Sequence, residues 1–303
     1  MKVLVTGGAG FIGSHTVDAL EGAGAAVAVL DNLSTGKFEN IKQYVDFYQG
    51  DLLEKDFVFH CVEKESPDVI IHLAAQVSVP QSMADPVADA GINILGSLHI
   101  LEAARSAGVR KIVFASSAAV YGTPVYLPVD ELHPAQPLSG YGLSKHTVER
   151  YLHLYRELYG LDYTILRYAN VYGPGQDAMG EGGVVSIFID RIINGEQPVI
   201  YGDGEQTRDF VHVSDVAGAN LCAMNRGGGM VLNVSTGRPV TVNRLFEIIK
   251  KAAGYSGGPR YGPRRPGDIR DSCLDSSRAA SVLGWTAGTD LEKGIKNTLQ
   301  QKR

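Results

Sequence analysis

The sequence is poor in cysteine. Cys61, Cys222 and Cys273 are three scattered thiols in 303 residues. They fit no disulfide framework and no metal-thiolate spacing, and so read as reduced thiols of a cytoplasmic protein. No apolar run reaches the roughly 18–20 residues that a bilayer span needs, so no membrane role is expected. No basic, apolar, cleavable leader precedes the first strand, which is expected to begin at residue 2. Lysine and arginine total 28 against 33 acids, a net charge of −5, with no basic run. A nucleic-acid backbone therefore has no matching surface. The eight histidines are dispersed and cluster with no acids, so no metal is expected. What remains is an ordinary globular composition, 44% apolar and 20% charged, enough for a large core and two lobes.

The first 13 residues, MKVLVTGGAGFIG, carry the strongest signal. Val3-Leu4-Val5 is a short, β-branched, buried-strand run. Gly7, Gly10 and Gly13 follow at intervals of three, and a helix opens at Phe11-Ile12. In such a turn Gly7 permits the sharp reversal. Gly10 lets the backbone approach a pyrophosphate, and Gly13 lets the helix pack on the strand. Phosphates then sit on the free N–H groups of the helix N-terminus. A glycine triplet alone marks no more than a turn. Here a second strand, Ala26 to Leu30, ends in Asp31, 18 residues after Gly13. A carboxylate there accepts both ribose hydroxyls of an adenosine and repels a 2′-phosphate, so the expected cofactor is NAD rather than NADP.

Along the chain, Asn32 to Lys37 is a polar loop on the adenosine side. A third strand, Val45 to Gln49, runs into Gly50-Asp51-Leu52, where Asp51 reads either as an adenine contact or as a helix N-cap. A helix is predicted over 53–66, stopped by Pro67. The strand Val69 to Leu73 ends in Ala74-Ala75, small enough for backbone to approach the pyrophosphate. Ile92, Leu95, Leu98 and Leu101 predict a helix over 86–107. Asn93 on it either supports the site or solvates a face. A fifth strand, Lys111 to Ala115, ends in Ser116-Ser117. The proline-bearing segment 123–140 reads as loop. A long helix then opens at Tyr141 and ends near Gly160, before a sixth strand, Tyr163 to Leu166. Strands alternating with helices predict an α/β, doubly wound parallel sheet over 1–167. Residues 168–303 read as a smaller α+β substrate lobe, with loops at 172–175 and 179–183, a helix at 184–193 and a strand at 198–201. Val231 to Val234 is apolar enough to return to the main sheet.

Tyr141 and Lys145 are four apart, so they share a helix face. An ammonium beside a phenol favours the phenolate, which makes the phenol a general base. Ser117, at a strand end, can hydrogen-bond the same substrate hydroxyl. A Tyr-x-x-x-Lys pair by itself is only a helix face. With an upstream serine and a dinucleotide turn it becomes a catalytic set.

These residues lie in longer motifs: TGGAGFIGSH (6–15), DNLSTGK (31–37), GDL (50–52), HLAA (72–75), SSAAVYG (116–122), YGLSK (141–145), RYANVYGP (167–174), GDGEQTRDFVHVSD (202–215) and RRPGDI (264–269). In them the sequence resembles the extended short-chain dehydrogenase/reductases, specifically the UDP-glucose (UDP-galactose) 4-epimerase type, over nearly its whole length. The resemblance implies a catalytic triad of Ser117, Tyr141 and Lys145. It implies an NAD site lined by Gly7, Gly10, Phe11, Ile12, Gly13, Asp31, Asn32, Ser34, Gly36, Asp51, Leu52, Leu73, Ala74, Ala75, Asn93, Ser116, Tyr141, Lys145 and Tyr168. Beside the catalytic Ser117 and Tyr141, it gives the nucleotide-sugar diphosphate to Asn170, Gly183, Val184, Arg208, Arg265 and Asp268. Guanidinium forks suit a diphosphate. It implies inversion at C4 through a 4-keto sugar with NAD retained, and a homodimer built on helices 86–107 and 141–159.

Three departures bear on the reaction. Related dehydratases carry an Asp-Glu pair where this chain has Ala118-Ala119, and alanine supplies neither acid nor base for eliminating water. UDP-glucuronate decarboxylases usually keep an acid at the second of these positions. Ser272 falls where relatives vary between a bulky tyrosine and a small residue, which predicts room for an N-acetyl group on the sugar. Val77 stands where some epimerases have a lysine. A UDP-glucuronate 4-epimerase, with the same triad, is the nearest rival reading. A non-catalytic dinucleotide sensor, which typically loses the Tyr/Lys pair, is the rival of another class.

Overall fold

Val3, Leu4 and Val5 have no exposed surface, because side chains along a strand alternate between two faces and both faces of this sheet are covered. A computed structural model describes residues 1–178, 183–264 and 269–302. Its first half alternates β1 (Lys2–Thr6), α1 (Phe11–Gly22), β2 (Ala26–Asp31), β3 (Asp46–Gln49), α2 (Lys55–Glu65) and β4 (Val69–His72). Two short helices follow, α3 (Val79–Ala84) and α4 (Pro86–Ala90), then a π-turn over Gly91–Leu95 and α5 (Gly96–Ser106). Then come β5 (Lys111–Ser117), α6 (Gly140–Tyr159) and β6 (Asp162–Tyr168). The second half holds β7 (Asn170–Tyr172), α7 (Val184–Ile193), β8 (Val199–Tyr201), β9 (Thr207–His212), α8 (Val213–Ala223) and β10 (Met230–Val234). It ends with β11 (Pro239–Thr241), α9 (Val242–Ala253), β12 (Arg260–Gly262), α10 (Ser277–Leu283) and α11 (Leu291–Lys302).

Seven strands pair in the order β10-β6-β5-β4-β1-β2-β3, all parallel. The order reverses beside β1, so the carboxyl ends of β1 and β4 open onto a crevice, the usual ligand position in such sheets. Leu4, Leu30, Ile70 and Phe114 face α2, α5 and α6 through Val58, Ile100 and Leu152. Val3, Val5, Val29 and Ile71 belong to the opposite core, with Val17 of α1, Val216 of α8 and Leu283 of α10. Truncating the leucines, isoleucines or Phe114 among these to alanine costs roughly 2–5 kcal/mol.

The strand expected at 231–234 does return, pairing Leu232 with Leu166 at the sheet edge. Helix α8 packs on α1 and α10 on β10, so the chain re-enters the main core twice after residue 168. A separate core forms where Phe188, Ile189, Phe246, Ile249, Ile295 and Leu299 of α7, α9 and α11 close over Ile200 and Phe210. The predicted helix 86–107 is present as a continuous helical run from Pro86 to Ser106, with the π-turn inserted between α4 and α5. A π-turn shifts the register of the side chains that follow, and it buries Asn93 rather than leaving it on a solvated face.

Candidate active site

The turn between β1 and α1 is glycine-built for packing reasons at two positions and for another reason at the third. Gly7 has φ +71°, and a Cβ there would lie 2.7 Å from Ala74 N. A Cβ on Gly13 would lie 1.9 Å from the carbonyl oxygen of Gly7. At Gly10 a Cβ would meet only that oxygen, at 3.3 Å. The demand for glycine at Gly10 is therefore weak from the protein side. It faces the crevice, as a position approached closely by a pyrophosphate would.

Asp31 ends β2 and holds this turn. Its Oδ2 accepts from Ala9 N at 2.9 Å and its Oδ1 from Leu33 N at 2.8 Å. Burial raises the Asp31 carboxyl, opposed by those two N–H groups. A carboxylate has lone pairs beyond two acceptances, and Asp31 still borders the crevice. A cavity of about 340 Å³ runs along it, lined by Gly7, Gly10, Asp31, Asn32, Ser34, Asp51, Leu52, Leu73, Ala74 and Ala75 among others. Asn32 donates to Asp51 Oδ2 at 2.8 Å, so the two polar residues of the adenosine end are already joined. Gly36 is not on this wall; a Cβ there would strike the Ala9 carbonyl carbon at 2.9 Å, so it packs against the back of the turn. Thr35, Gln76, Ser78, Gln81 and Ile92 also line the cavity. Gln76 and Ser78 lie in the loop after β4, Gln81 on α3 and Ile92 in the Gly91–Leu95 segment, so only the folded chain brings them to one wall. The elongated groove, the open face of Gly10 and the buried acid beyond it fit an adenine dinucleotide.

A second, smaller cavity of about 80 Å³ adjoins the first, bordered by Phe11, Ile12, Gly13, Ser116, Tyr141, Lys145 and Tyr168. Ser139 caps α6 by accepting from Gly142 N at 3.1 Å, which starts the helix one turn before Lys145. Lys145 Nζ lies 5.9 Å from the centre of the Tyr141 ring and 4.8 Å from that of Phe114. Burial pulls the Lys145 ammonium down to about 8, opposed by the charges of Asp89 and Glu149. Ser117 ends β5, and its Oγ accepts from Ala119 N at 3.2 Å. Ser116 borders the cavity, but its hydroxyl donates to Glu149 at 2.6 Å. Tyr168 shows its ring to the cavity while its hydroxyl donates to Asn220 at 2.6 Å.

Asn93 stands one layer behind. Its amide donates to Gln76 O, Asp89 and Ser144 Oγ at 2.9, 3.0 and 3.1 Å and accepts from Gln76 N at 2.8 Å. It ties the exit of β4 to α6. His72 lies in the same layer, between Thr6 Oγ1 at 2.7 Å and Ser97 Oγ at 2.9 Å. Ser97 donates onward to the Asn93 carbonyl, so Nε2 of His72 must carry the proton. Burial, reinforced by Lys145, holds His72 at about 3 and therefore neutral.

On the substrate side, Gly183 caps α7 and Val184 is its first residue, so that helix opens its N–H groups there. Asn170 begins β7 and pairs with Phe210 of β9. Arg208 on β9 is aimed by the carbonyls of Thr207 and Arg270, at 2.7 and 3.3 Å. Ser272 lies beside it, its N–H donating to Thr207 O at 3.2 Å. Arg265 and Asp268 lie outside the described residues. Asp209 is wholly buried and accepts from Thr236 and Gly237, so in its motif it is a fold residue. Among the described residues no group of His, Cys, Asp or Glu is placed to hold a metal ion.

A doubly wound parallel sheet, a glycine turn under an acid-tipped second strand, and Tyr141 with Lys145 at the far end together define a short-chain dehydrogenase/reductase that works on a nucleotide cofactor. The sequence matches the NAD dependent epimerase/dehydratase family over residues 3–235, and the chain belongs to that family. The chain is similar to UDP-glucose 4-epimerase from Mycolicibacterium smegmatis, at 44% identity covering 99% of this chain and 98% of the relative. Its fold matches the crystal structure of UDP-glucose 4-epimerase with UDP-glucose from Thermotoga maritima, with TM-score 0.98 and 46% identity over 100% of this chain and 98% of that one. It also matches the Thermus thermophilus UDP-glucose 4-epimerase complex with NAD, with TM-score 0.93 and 42% identity over 99% and 98% of the two chains. The protein is thus an NAD-dependent enzyme of the epimerase class, as the motifs imply.

Proposed function

We propose that the protein interconverts UDP-galactose and UDP-glucose, with NAD retained between turnovers. The observation that carries the reading is Tyr141 beside the buried ammonium of Lys145, at the inner end of a groove shaped for a dinucleotide. NAD would be held by the glycine turn, Asp31, Asn32, Asp51 and Lys145, and it supplies the reversible redox step at C4 of the sugar. Tyr141 takes the proton of the sugar 4-hydroxyl at its Oη and later returns it. Ser117 Oγ hydrogen-bonds the same hydroxyl and orients it. Lys145, charged below about pH 8, stabilises the phenolate so formed. Arg208 and the N-terminus of α7 anchor the diphosphate while the sugar turns over between its two faces. The family resemblance assigns Arg265 and Asp268 to the same diphosphate. Ala118 and Ala119 supply no acid or base, which favours inversion over elimination. The small side chain of Ser272 supports acceptance of N-acetylated UDP-hexosamines.

Leu143, Leu154, Leu158 and Tyr159 of α6 and Leu95 before α5 are exposed apolar side chains. They support a homodimer joined through these helices, which sedimentation would test. Among the described residues no helix is long and apolar enough to cross a membrane. Three unpaired cysteines support a reducing cytoplasm.

The deciding experiment uses purified protein, UDP-galactose and no added nucleotide, with UDP-glucose quantified and NAD extracted from the denatured protein. Product formed by protein carrying NAD supports the reading. Bound NAD without product moves the substrate to another sugar, with UDP-glucuronate tested next. Absence of both, even after NAD is supplied, would sink the enzymatic reading.

A further inference from the structure

On α6, Tyr141, Lys145 and Glu149 recur every four residues and share one face. The first two border the cavity. Glu149 is buried behind them and makes contact with two other parts of the site. Its Oε1 accepts from Ser116 Oγ at 2.6 Å and from Arg167 Nε at 2.8 Å. Its Oε2 accepts from Arg167 Nη2 at 2.5 Å and faces His146 Nδ1 at 3.2 Å. The side chains of Arg167 and Glu149 are 6% and 4% exposed. Arg167 in turn lies 4.6 Å over the ring of Tyr121, whose hydroxyl donates to Asn233 at 2.7 Å.

Each partner of this carboxylate is a chain neighbour of a residue at the reacting end. Ser116 precedes Ser117, Arg167 precedes Tyr168, and His146 follows Lys145. Two charges withdrawn from water gain little net stability, because desolvation offsets their attraction. A forked, two-point pair does fix direction and distance. We propose that Glu149 and Arg167 are positioning residues for the reaction. Their pair, with the Ser116 hydroxyl on the same carboxylate, locks the helix that carries Tyr141 and Lys145 against the ends of β5 and β6, so that phenol and Ser117 converge on one sugar hydroxyl. The inference rests on the epimerase reading for its kinetic test and on geometry alone for its structural one.

Two variants separate geometry from charge. The groups facing Lys145 are Asp89 from α4, Glu149 and Tyr141 from α6, and neutral His72 from β4. E149Q keeps a hydrogen-bonding group of the same shape but leaves Arg167 without its counter-charge. The double variant E149M/R167M removes both charges together and leaves no unpaired ion. Holoenzyme of each would be assayed for kcat and KM on UDP-galactose across pH. Thermal midpoint and hydrogen exchange at residues 115–118 and 140–149 would be measured on the same samples.

The double variant is expected to stay folded, because apolar replacement of a buried pair is commonly neutral. Its kcat should fall roughly a hundredfold, the scale set by misplacing a catalytic group by about 1 Å. Its KM should stay within about threefold, exchange at 115–118 should quicken selectively, and the alkaline limb of its pH profile should stay in place. In E149Q that limb should move to lower pH, since Lys145 loses a negative neighbour and faces an uncompensated guanidinium. The proposal is overturned if the double variant turns over within about threefold of wild type. It is equally overturned if kcat falls only in step with the thermal midpoint, with no selective exchange at the end of β5. If the wild type does not convert UDP-galactose, the functional reading fails, and the exchange comparison still decides the positioning claim.

Discussion

Lys145 is a charged group placed where charge is costly, and that cost can be measured. In the folded chain it gives up its proton near pH 8 because burial outweighs the attraction of Asp89 and Glu149. In an unfolded chain a lysine holds its proton to about 10.4. Between those values the unfolded state binds more protons, so the stability of the nucleotide-free protein should rise as pH rises from about 8 to about 10.4. Below that window the full cost is present. The difference of roughly 2.4 pH units corresponds to about 3 kcal/mol at pH 7, falling to about 2 at pH 9 and under about 0.5 at pH 10.4. Lys145→Met keeps the apolar stem and removes the charge. The substitution should therefore stabilise nucleotide-free protein by up to about 3 kcal/mol at pH 7 while abolishing turnover. Unfolding entropies of about 2.1 cal/mol/K per residue over 303 residues translate this into a rise of about 5 °C in thermal midpoint. Scanning calorimetry of both proteins, stripped of nucleotide, at pH 7 and pH 10 is the assay. A variant no more stable than wild type at pH 7 would refute the reasoning. So would a gain that persists unchanged at pH 10, since it would then owe nothing to the ammonium.

Tyr141→Phe should abolish epimerisation and leave NAD extractable in wild-type amount; turnover within about tenfold of wild type would remove Tyr141 from its role as base. Gly13→Ala places a methyl 1.9 Å from the Gly7 carbonyl, and overpacking of this kind costs about 1–3 kcal/mol or more. Its thermal midpoint and NAD content should fall together, whereas Gly10→Ala should spare the midpoint and lose NAD. Ser272→Tyr should suppress turnover of UDP-N-acetylglucosamine while sparing UDP-glucose, and equal loss on both would count against a size gate. His72 stays neutral down to about pH 3 while an unfolded histidine protonates near 6.5. Stability should therefore fall as pH falls through that interval, and His72→Gln should flatten the part of the acid-unfolding curve that this histidine contributes.

The six strands of the first half were readable because parallel strands covered on both faces are short, continuous apolar runs between turn residues. Their observed limits differ from the expected ones by a residue or two, as with β3, which begins at Asp46 rather than Val45. The later helices were harder to read. Helix α8 is rich in alanine and glycine, with Ala217, Gly218, Ala219 and Ala223 giving little contrast between faces. Helix α9 does carry a clear period, Val242, Leu245, Phe246 and Ile249. Helix α3 is a six-residue helix with Pro80 in its first turn, too short for periodicity to register.

At the site, the residues proposed to meet cofactor and substrate are more legible in the sequence than those that hold them in place. Gly7, Asp31, Tyr141 and Lys145 are recognisable because their chemistry requires a residue type at a fixed spacing from a strand end. Asn93, His72 and Glu149 carry no such constraint. Asn93 lies within the π segment, where counting along an ideal helix misjudges its direction, and only the folded chain puts Gln76 and Ser144 around it. Glu149 follows Lys145 by four residues, a spacing visible in the sequence. A carboxylate on a helix nevertheless reads as a solvated face until a strand eighteen residues on brings Arg167 against it. The difference is physical. A contact with a ligand is specified locally by the motif that makes it, whereas a buried hydrogen bond is specified jointly by two segments whose proximity is a property of the sheet order. The supporting layer of this site joins β1, β4, β5, β6 and three helices, so it becomes visible only once the strands are in register.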